Sequence, residues 1–335
     1  MITNDYTSDP GKYSRRRTCS CECNLARLKR RMDLSLFVPA PARTSRAASG
    51  YAGSPDLPFA GLQWALGSLP DMKLEILTST SRNRSLKDKC AMGIMIKTPR
   101  NGFSKTRLSP PLSSEEGASI SRCFLRDTCA SIETLSQEDP FVVGVAIYTP
   151  VGSEADLQQI LPSAFRMIAQ REGGIGVRLS GATEDLFSIG FSAVCLIDSD
   201  SPTLPLDYLR DLSNLLKEPK DRMVIGPCSD GGYYLLGLRH AHTRLFEEIN
   251  WSSDSVYSET MQRAKEIDLP AVTLPAWYDV DDQVPLNRLL SELFPERAKE
   301  AVPQGSPALY TREFLHQILA REGAGRIWSR TATSV

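Results

Sequence analysis

Val194-Cys-Leu-Ile-Asp-Ser-Asp-Ser-Pro-Thr-Leu-Pro205 joins an apolar run to two carboxylates one residue apart. The apolar part, Ala193–Ile197, is short and bounded by turn residues, the pattern of a strand buried in a parallel sheet. Ser201-Pro202 closes it, because proline donates no ladder hydrogen bond and restricts the residue before it. In open α/β sheets, ligands bind just beyond the carboxyl ends of such strands. Asp198 and Asp200 at that point are hard oxygen ligands, of the kind that hold Mg²⁺ or Mn²⁺ on substrate phosphates. Taken alone, the same residues also read as an acidic cap and turn before the next helix.

The flanks repeat the strand-then-helix alternation that implies a mostly parallel α/β sheet. Upstream, the pattern predicts strands at Ala91–Ile96, Phe141–Tyr148 and Phe165–Ala169. Ser113 and Glu116 form a capping box, and Ile120, Phe124, Thr128, Ile132 and Leu135 repeat behind it at helical spacing. Further helices are expected at Glu154–Leu161 and Val177–Ile189. Downstream come helix Leu206–Leu216, strands Met223–Ile225 and Tyr233–Leu238, helix Ser253–Ile267, strand Val272–Leu274 and helix Val284–Leu293. The domain is therefore expected over Cys90–Phe294, with Pro295–Val335 as a tail carrying one helix near Arg312–Arg321. Met1–Lys89, rich in Ser, Arg, Pro and Gly and without periodicity, reads as a disordered extension. Its Cys19-Ser-Cys-Glu-Cys lacks the C-x₂-C pairs of structural zinc sites.

Composition narrows the class. With 335 residues, a formal charge of −1 and 41% hydrophobic residues, the chain reads as a soluble globular protein with no nucleic-acid or membrane partner. No apolar run approaches the roughly 20 residues of a membrane span. The scattered cysteines of the body, Cys90, Cys123, Cys129, Cys195 and Cys228, read as small core residues in a reducing compartment, so the cytoplasm is expected.

Three polar turns follow apolar strands: Lys97–Arg107, Asp198–Asp200 and Asp279–Asp281. In a parallel sheet such turns gather on one edge, where cations facing carboxylates suit a metal-bridged pyrophosphate. Lys97, Lys105 and Arg107 would neutralise phosphate oxygens, while Gly102 lets the backbone approach them. Glycine does not directly precede Lys105, so this is not a Walker A loop, and no G-x-G-x-x-G follows the first strand. P-loop kinases and dinucleotide oxidoreductases are thereby disfavoured. Asp230-Gly-Gly is a turn signal that would hold Asp230 at the cleft. Strand alternation should split Tyr233 from Tyr234, one to each face. His240 and His242 show no third ligand in the sequence and read as surface residues, and Trp251 and Trp277 as packing residues.

Four ordered motifs carry a resemblance. They are Lys97-x-Pro-x-x-Gly102-x-x-Lys105-Thr-Arg-Leu108, Asp200-Ser-Pro-Thr-Leu204, Gly226-Pro-x-x-Asp230-Gly-Gly-Tyr-Tyr234 and Asp279-Val-Asp281. In order and spacing they resemble a bacterial GT-A-like transferase family, labelled arsenosugar-biosynthesis or radical-SAM/selenodomain-associated glycosyltransferase. That family is similar in turn to 2-phospholactate guanylyltransferase and the molybdenum-cofactor nucleotidyltransferases. The resemblance runs from about Gly93 to Leu293. It implies a GT-A nucleotide-diphospho-sugar transferase fold, with Mg²⁺ or Mn²⁺ as cofactor. Implied nucleotide and phosphate contacts are Lys97, Gly102, Lys105, Thr106, Arg107 and Arg178. Asp200 matches the metal-binding acid, with Asp198 and Asp281 as further candidates, and Asp230 is expected to position or deprotonate an acceptor hydroxyl. Two positions depart from the family: Gly174 stands where an acid precedes the central strand, and Asp198 where a small residue is usual. The expected activity is sugar transfer from a nucleotide diphosphate-sugar to a small acceptor. The alternatives are nucleotidyl transfer from an NTP to a phosphorylated acceptor and, given Gly174, a binding domain without turnover.

Overall fold

The computed structural model describes residues 74–328 apart from Ser81 and Lys299, and Cys19, Cys21 and Cys23 lie outside that range. Among the described residues the strands are β1 (Glu75–Ile76), β2 (Cys90–Lys97), β3 (Val142–Thr149), β4 (Arg166–Ala169), β5 (Ala193–Ile197), β6 (Met223–Pro227), β7 (Tyr233–Leu238) and β8 (Ala271–Thr273). The helices are α1 (Ser114–Glu138), α2 (Glu154–Gln158), α3 (Ile175–Ile189), α4 (Leu206–Lys217), α5 (Val256–Glu266), α6 (Gln283–Leu293) and α7 (Leu309–Glu322). One sheet takes all eight strands in the order β1-β4-β3-β2-β5-β7-β6-β8. Strands β1, β4, β3, β2 and β5 run parallel; β7 is antiparallel to both β5 and β6, and β8 is parallel to β6. The architecture is a mixed α/β fold with a mostly parallel sheet flanked by helices, as the alternation predicts.

The continuous apolar run of β5 follows from its position. Cys195 and Ile197 belong to the core on one face, with Phe124 of α1, Leu209 of α4 and Leu289 of α6. Val194 and Leu196 belong to the other, with Leu186 of α3 and Ala264 of α5. A strand buried on both faces carries no alternation. Tyr234 and Tyr233 divide between the same two cores, as alternation requires. Helix α1 starts at the expected capping box: Ser113 Oγ accepts from the Glu116 amide at 3.2 Å, and Glu116 Oε2 accepts from the Ser113 amide at 2.8 Å.

Both ends of the fold differ from expectation. Order begins ahead of Lys89: Leu74, Leu77 and Leu86 are buried, and β1 pairs with β4 at the sheet edge. A two-residue strand is too short to show periodicity, so composition alone misplaces this boundary. At the other end, α7 does not sit apart as a tail. Its Leu315, Ile318 and Leu319 complete the core beneath α1. Asp127 of α1, buried to 4% exposure, accepts from the amides of Tyr310 (3.0 Å) and Thr311 (2.9 Å) in the first turn of α7. The bare N-terminal donors of α7 are thus satisfied from another helix. Burial pushes the Asp127 carboxyl up to about 6, against the opposing pull of those donors and the Thr311 hydroxyl.

Candidate functional site

Strand order reverses at β2, which is flanked by β3 on one side and β5 on the other. The crevice beyond the carboxyl ends of β2 and β5 is therefore the switch point of the sheet. The basic loop leaves β2 there and is pinned by Leu108 and Leu112, both buried in the core. The acidic turn Asp198–Asp200 leaves β5 at the same place. The Asp198 amide donates to the Tyr234 carbonyl at 3.0 Å, extending the β5–β7 ladder by one residue before the chain turns.

The second acidic turn is bound to the first through the backbone, with the Val280 amide donating to the Asp200 carbonyl at 2.9 Å. On one side of this segment, Tyr278 and Val280 are buried. The Tyr278 hydroxyl donates to Glu292 Oε2 at 2.5 Å, and the Thr203 hydroxyl reaches the same oxygen at 3.1 Å. On the other, Asp281 turns towards Asp200. Lys105 Nζ sits between the two carboxylates, 2.8 Å from Asp200 Oδ1 and 2.7 Å from Asp281 Oδ1. The Lys105 side chain is only 6% exposed, and its ammonium lies 5.5 Å from the centre of the Phe124 ring. Burial alone would lower its pKa; the two aspartates outweigh it and raise the value above 10.5. Lys105 adopts a left-handed backbone with φ of 50°, which turns the loop at this residue.

A cleft of about 210 Å³ opens around this triad, lined by Lys97, Thr106, Arg107, Ser121, Asp200 and Asp281 among others. The structure thus brings together Lys97, Lys105, Thr106, Arg107, Asp200 and Asp281 from the expected set. Gly102 is at the loop tip with φ of 75° and nothing within 4 Å of where its Cβ would be. Arg178 does not line this cleft; its Nε donates to the Gly173 carbonyl at 2.9 Å.

Asp198 and Asp200 of the D-x-D line different cavities. Asp198 faces a second cavity, also about 210 Å³, on the other side of the Asp198–Asp200 turn. Apart from Asp198 and Gly232, that cavity is lined by apolar and aromatic side chains, including Met95, Ile175, Tyr233 and Trp251. Asp198 Oδ2 accepts from the Ser201 hydroxyl at 2.9 Å and its Oδ1 from the Asp200 amide at 3.2 Å, a local turn that points the two side chains apart. Burial, then the charges of Asp200 and Asp279, hold the Asp198 carboxyl well above the usual range.

Asp230 lies beyond both cavities in an exposed turn, its Oδ1 accepting from the Gly232 amide at 2.9 Å. Gly231 makes that turn possible: its φ is 92°, and a Cβ there would meet the Asp254 carbonyl oxygen at 2.1 Å. Of the body cysteines read as core, Cys123 is only partly buried, and so is Cys228. It is partly exposed beside the site, its thiol donating to Asp279 Oδ1 at 3.1 Å, and Cys228, Asp230 and Asp279 place ligand atoms within 4.8 Å of one another. Burial and then Asp279 push the Cys228 thiol far up. Cys228 sits between the Gly-Pro and Asp-Gly-Gly signals, and that position is the one sequence cue that could have assigned it to the site.

The donor set fits a hard divalent cation. Asp200 and Asp281 come from separate turns, each gives one oxygen to the Lys105 ammonium, and each keeps a second carboxylate oxygen that a hard cation could use. Among the described residues no helix is long and apolar enough to cross a membrane.

Comparison with known proteins gives one family model and many solved structures, of which three are described. A family model described as an uncharacterized protein conserved in bacteria, DUF2064, matches residues 132–253. No curated protein sequence matches the chain. A crystal structure from Desulfovibrio desulfuricans G20, provisionally named a nucleotide-diphospho-sugar transferase, is 26% identical. It superposes with a TM-score of 0.58 over 69% of this chain and 95% of its own. A CMP:2-keto-3-deoxy-manno-octonic acid synthetase with CTP bound (11% identity, TM-score 0.40) covers 62% of this chain and 99% of that one. A cytidylyltransferase of Leptospira borgpetersenii (10%, TM-score 0.40) covers 73% and 98%. The last two are too distant to bear on this chain's chemistry.

Proposed function

We propose that the chain is a metal-dependent glycosyltransferase that moves a sugar from a nucleotide diphosphate-sugar to a small acceptor. One observation carries this reading. Asp200, Asp281 and Lys105 form a charged triad at the switch point, with Lys97 and Arg107 lining the same cleft. The likeness to the Desulfovibrio protein supports the substrate class. Asp200 and Asp281 would hold Mg²⁺ or Mn²⁺, whose chemistry is to neutralise the charge developing on the leaving diphosphate. Lys97, Lys105 and Arg107 bind phosphate oxygens and orient the diphosphate across the cleft. Asp198 caps its own turn and faces the apolar cavity, so we assign it no metal bond. The acceptor enters from that cavity, whose apolar walls exclude water from the transfer. Asp230, two residues from the cavity wall at Gly232, positions the acceptor hydroxyl.

Three cations lining the cleft also suit a triphosphate, which is what favours nucleotidyl transfer as the second reading. A thermal-shift panel of NTPs, NDPs and NDP-sugars with and without Mn²⁺ separates the two. A ligand at ~100 times its dissociation constant adds about 2.7 kcal/mol of stability. Selective response to NDP-sugars with sugar transfer supports the proposal. A response to NTPs alone replaces it with the second reading, and binding without turnover makes the chain a binding domain.

A further inference from the structure

The edge of the sheet opposite the candidate site holds a second cluster. Strands β6 and β7 are antiparallel, with Val224 opposite Gly237. The chain entering β6 and the chain leaving β7 therefore lie side by side, at the end of the sheet where β5 begins rather than where it ends. Asp221 stands just before β6, and His240 and His242 just after β7. His240 Nδ1 is 3.1 Å from Asp221 Oδ1; His242 Nε2 is 3.2 Å from Oδ1 and 3.1 Å from Oδ2. The ligand atoms of all three residues lie within 4.8 Å of one another. The third ligand that the sequence does not reveal comes from 19 residues upstream of His240, brought there by strand pairing.

These separations match metal ligation. Zinc–nitrogen and zinc–oxygen bonds of about 2.0–2.2 Å at tetrahedral angles set neighbouring ligand atoms roughly 3.3 Å apart. The two imidazole planes cross at 78° with centroids 6.4 Å apart, so the rings approach one point from different sides. Two imidazoles and one carboxylate without thiolate form a borderline donor set suited to Zn²⁺, leaving a fourth position to water. His240 and Asp221 are exposed, so an ion can enter from solvent without local unfolding.

We propose that Asp221, His240 and His242 form a zinc site that clasps the start of β6 to the exit of β7. The site is separate from the nucleotide cleft, and its test does not depend on the activity proposed above.

The test is calorimetric titration of the chelator-stripped full chain with ZnCl₂. Cys19→Ser, Cys21→Ser and Cys23→Ser are introduced together as a background, so that this cysteine cluster cannot contribute. In that background one equivalent should bind that depends on Asp221, His240 and His242, besides any ion taken up by the cleft or by Cys228, Asp230 and Asp279. Asp221→Asn, His240→Gln and His242→Gln should each weaken it at least about tenfold, the loss typical of removing even a supporting partner of a metal site. Asp200→Asn should leave the equivalent held by Asp221, His240 and His242 in place, whatever it does to an ion in the cleft. Cobalt in place of zinc should give the visible spectrum of a nitrogen- and oxygen-ligated tetrahedral ion, lost in His240→Gln, whose exposed side chain leaves the fold intact. Three outcomes overturn the proposal: no binding in that triple-serine background, affinity indifferent to all three ligand substitutions, or this equivalent lost in Asp200→Asn instead.

Discussion

At the scale of single residues, Lys105 is the pivot of the candidate site. Its two partners lie 95 and 176 positions away in the chain, so the acidic turns and the basic loop were legible from sequence but their mutual engagement was not. The D-x-D spacing was legible too: it suggests one ion between Asp198 and Asp200, and what it does not reveal is that the two residues line separate cavities. Asp200→Asn should therefore abolish Mn²⁺-dependent nucleotide binding, while Asp198→Asn should change metal dependence little. Calorimetry on both variants checks this, and a larger loss in Asp198→Asn would show that the wrong carboxylate has been assigned. Lys105 gives a pH prediction. Its folded pKa lies above the ordinary 10.5, so its stabilising contribution is complete below that value and fades as pH rises through the folded one. Lys105→Met should melt below wild type at neutral pH, and the gap should close in strongly alkaline solution.

At the scale of elements, most strands and helices were legible because each carries its own periodicity or cap; the capping box of α1 is seen where Ser113 and Glu116 place it. The role of α7 was not, because what docks it is a carboxylate on another helix. Asp127→Ala should cost about 1–3 kcal/mol, the loss of a helix cap together with stranded amides, measured by urea denaturation. The pH dependence has a definite sign. The Asp127 pKa is raised from 3.8 to about 6, so the folded state holds its proton more tightly and stability falls as pH rises across that window. Relative to Asp127→Asn, wild type should gain stability as pH drops through it. At the turn between β6 and β7, Gly231→Ala should cost on the order of 1–3 kcal/mol or more, because a left-handed φ and the Asp254 carbonyl both oppose a side chain. A thermal melt within a degree or two of wild type would show that the turn can shift.

At the scale of the whole molecule, the fold class and the edge bearing the site follow from the order of strands and helices, while the domain limits do not. Limits depend on which residues reach the core, and Leu74, Leu77 and Leu86 do so from a segment whose composition resembles a linker. A chain beginning at Cys90 should thus melt well below one beginning at Gly67, since each buried leucine contributes roughly 1.5–3 kcal/mol. Equal melting temperatures would show that these leucines are dispensable. The bond from Asp127 to the first turn of α7 has a further consequence for biosynthesis. Its partners are 183 and 184 residues apart, so during translation at roughly 5–20 residues per second Asp127 emerges on the order of ten seconds or more before the amides it will bind. Until α7 has been made, the part of α1 that Leu315, Ile318 and Leu319 pack against lacks that cover, so α1 can complete its burial only after the last helix is synthesised.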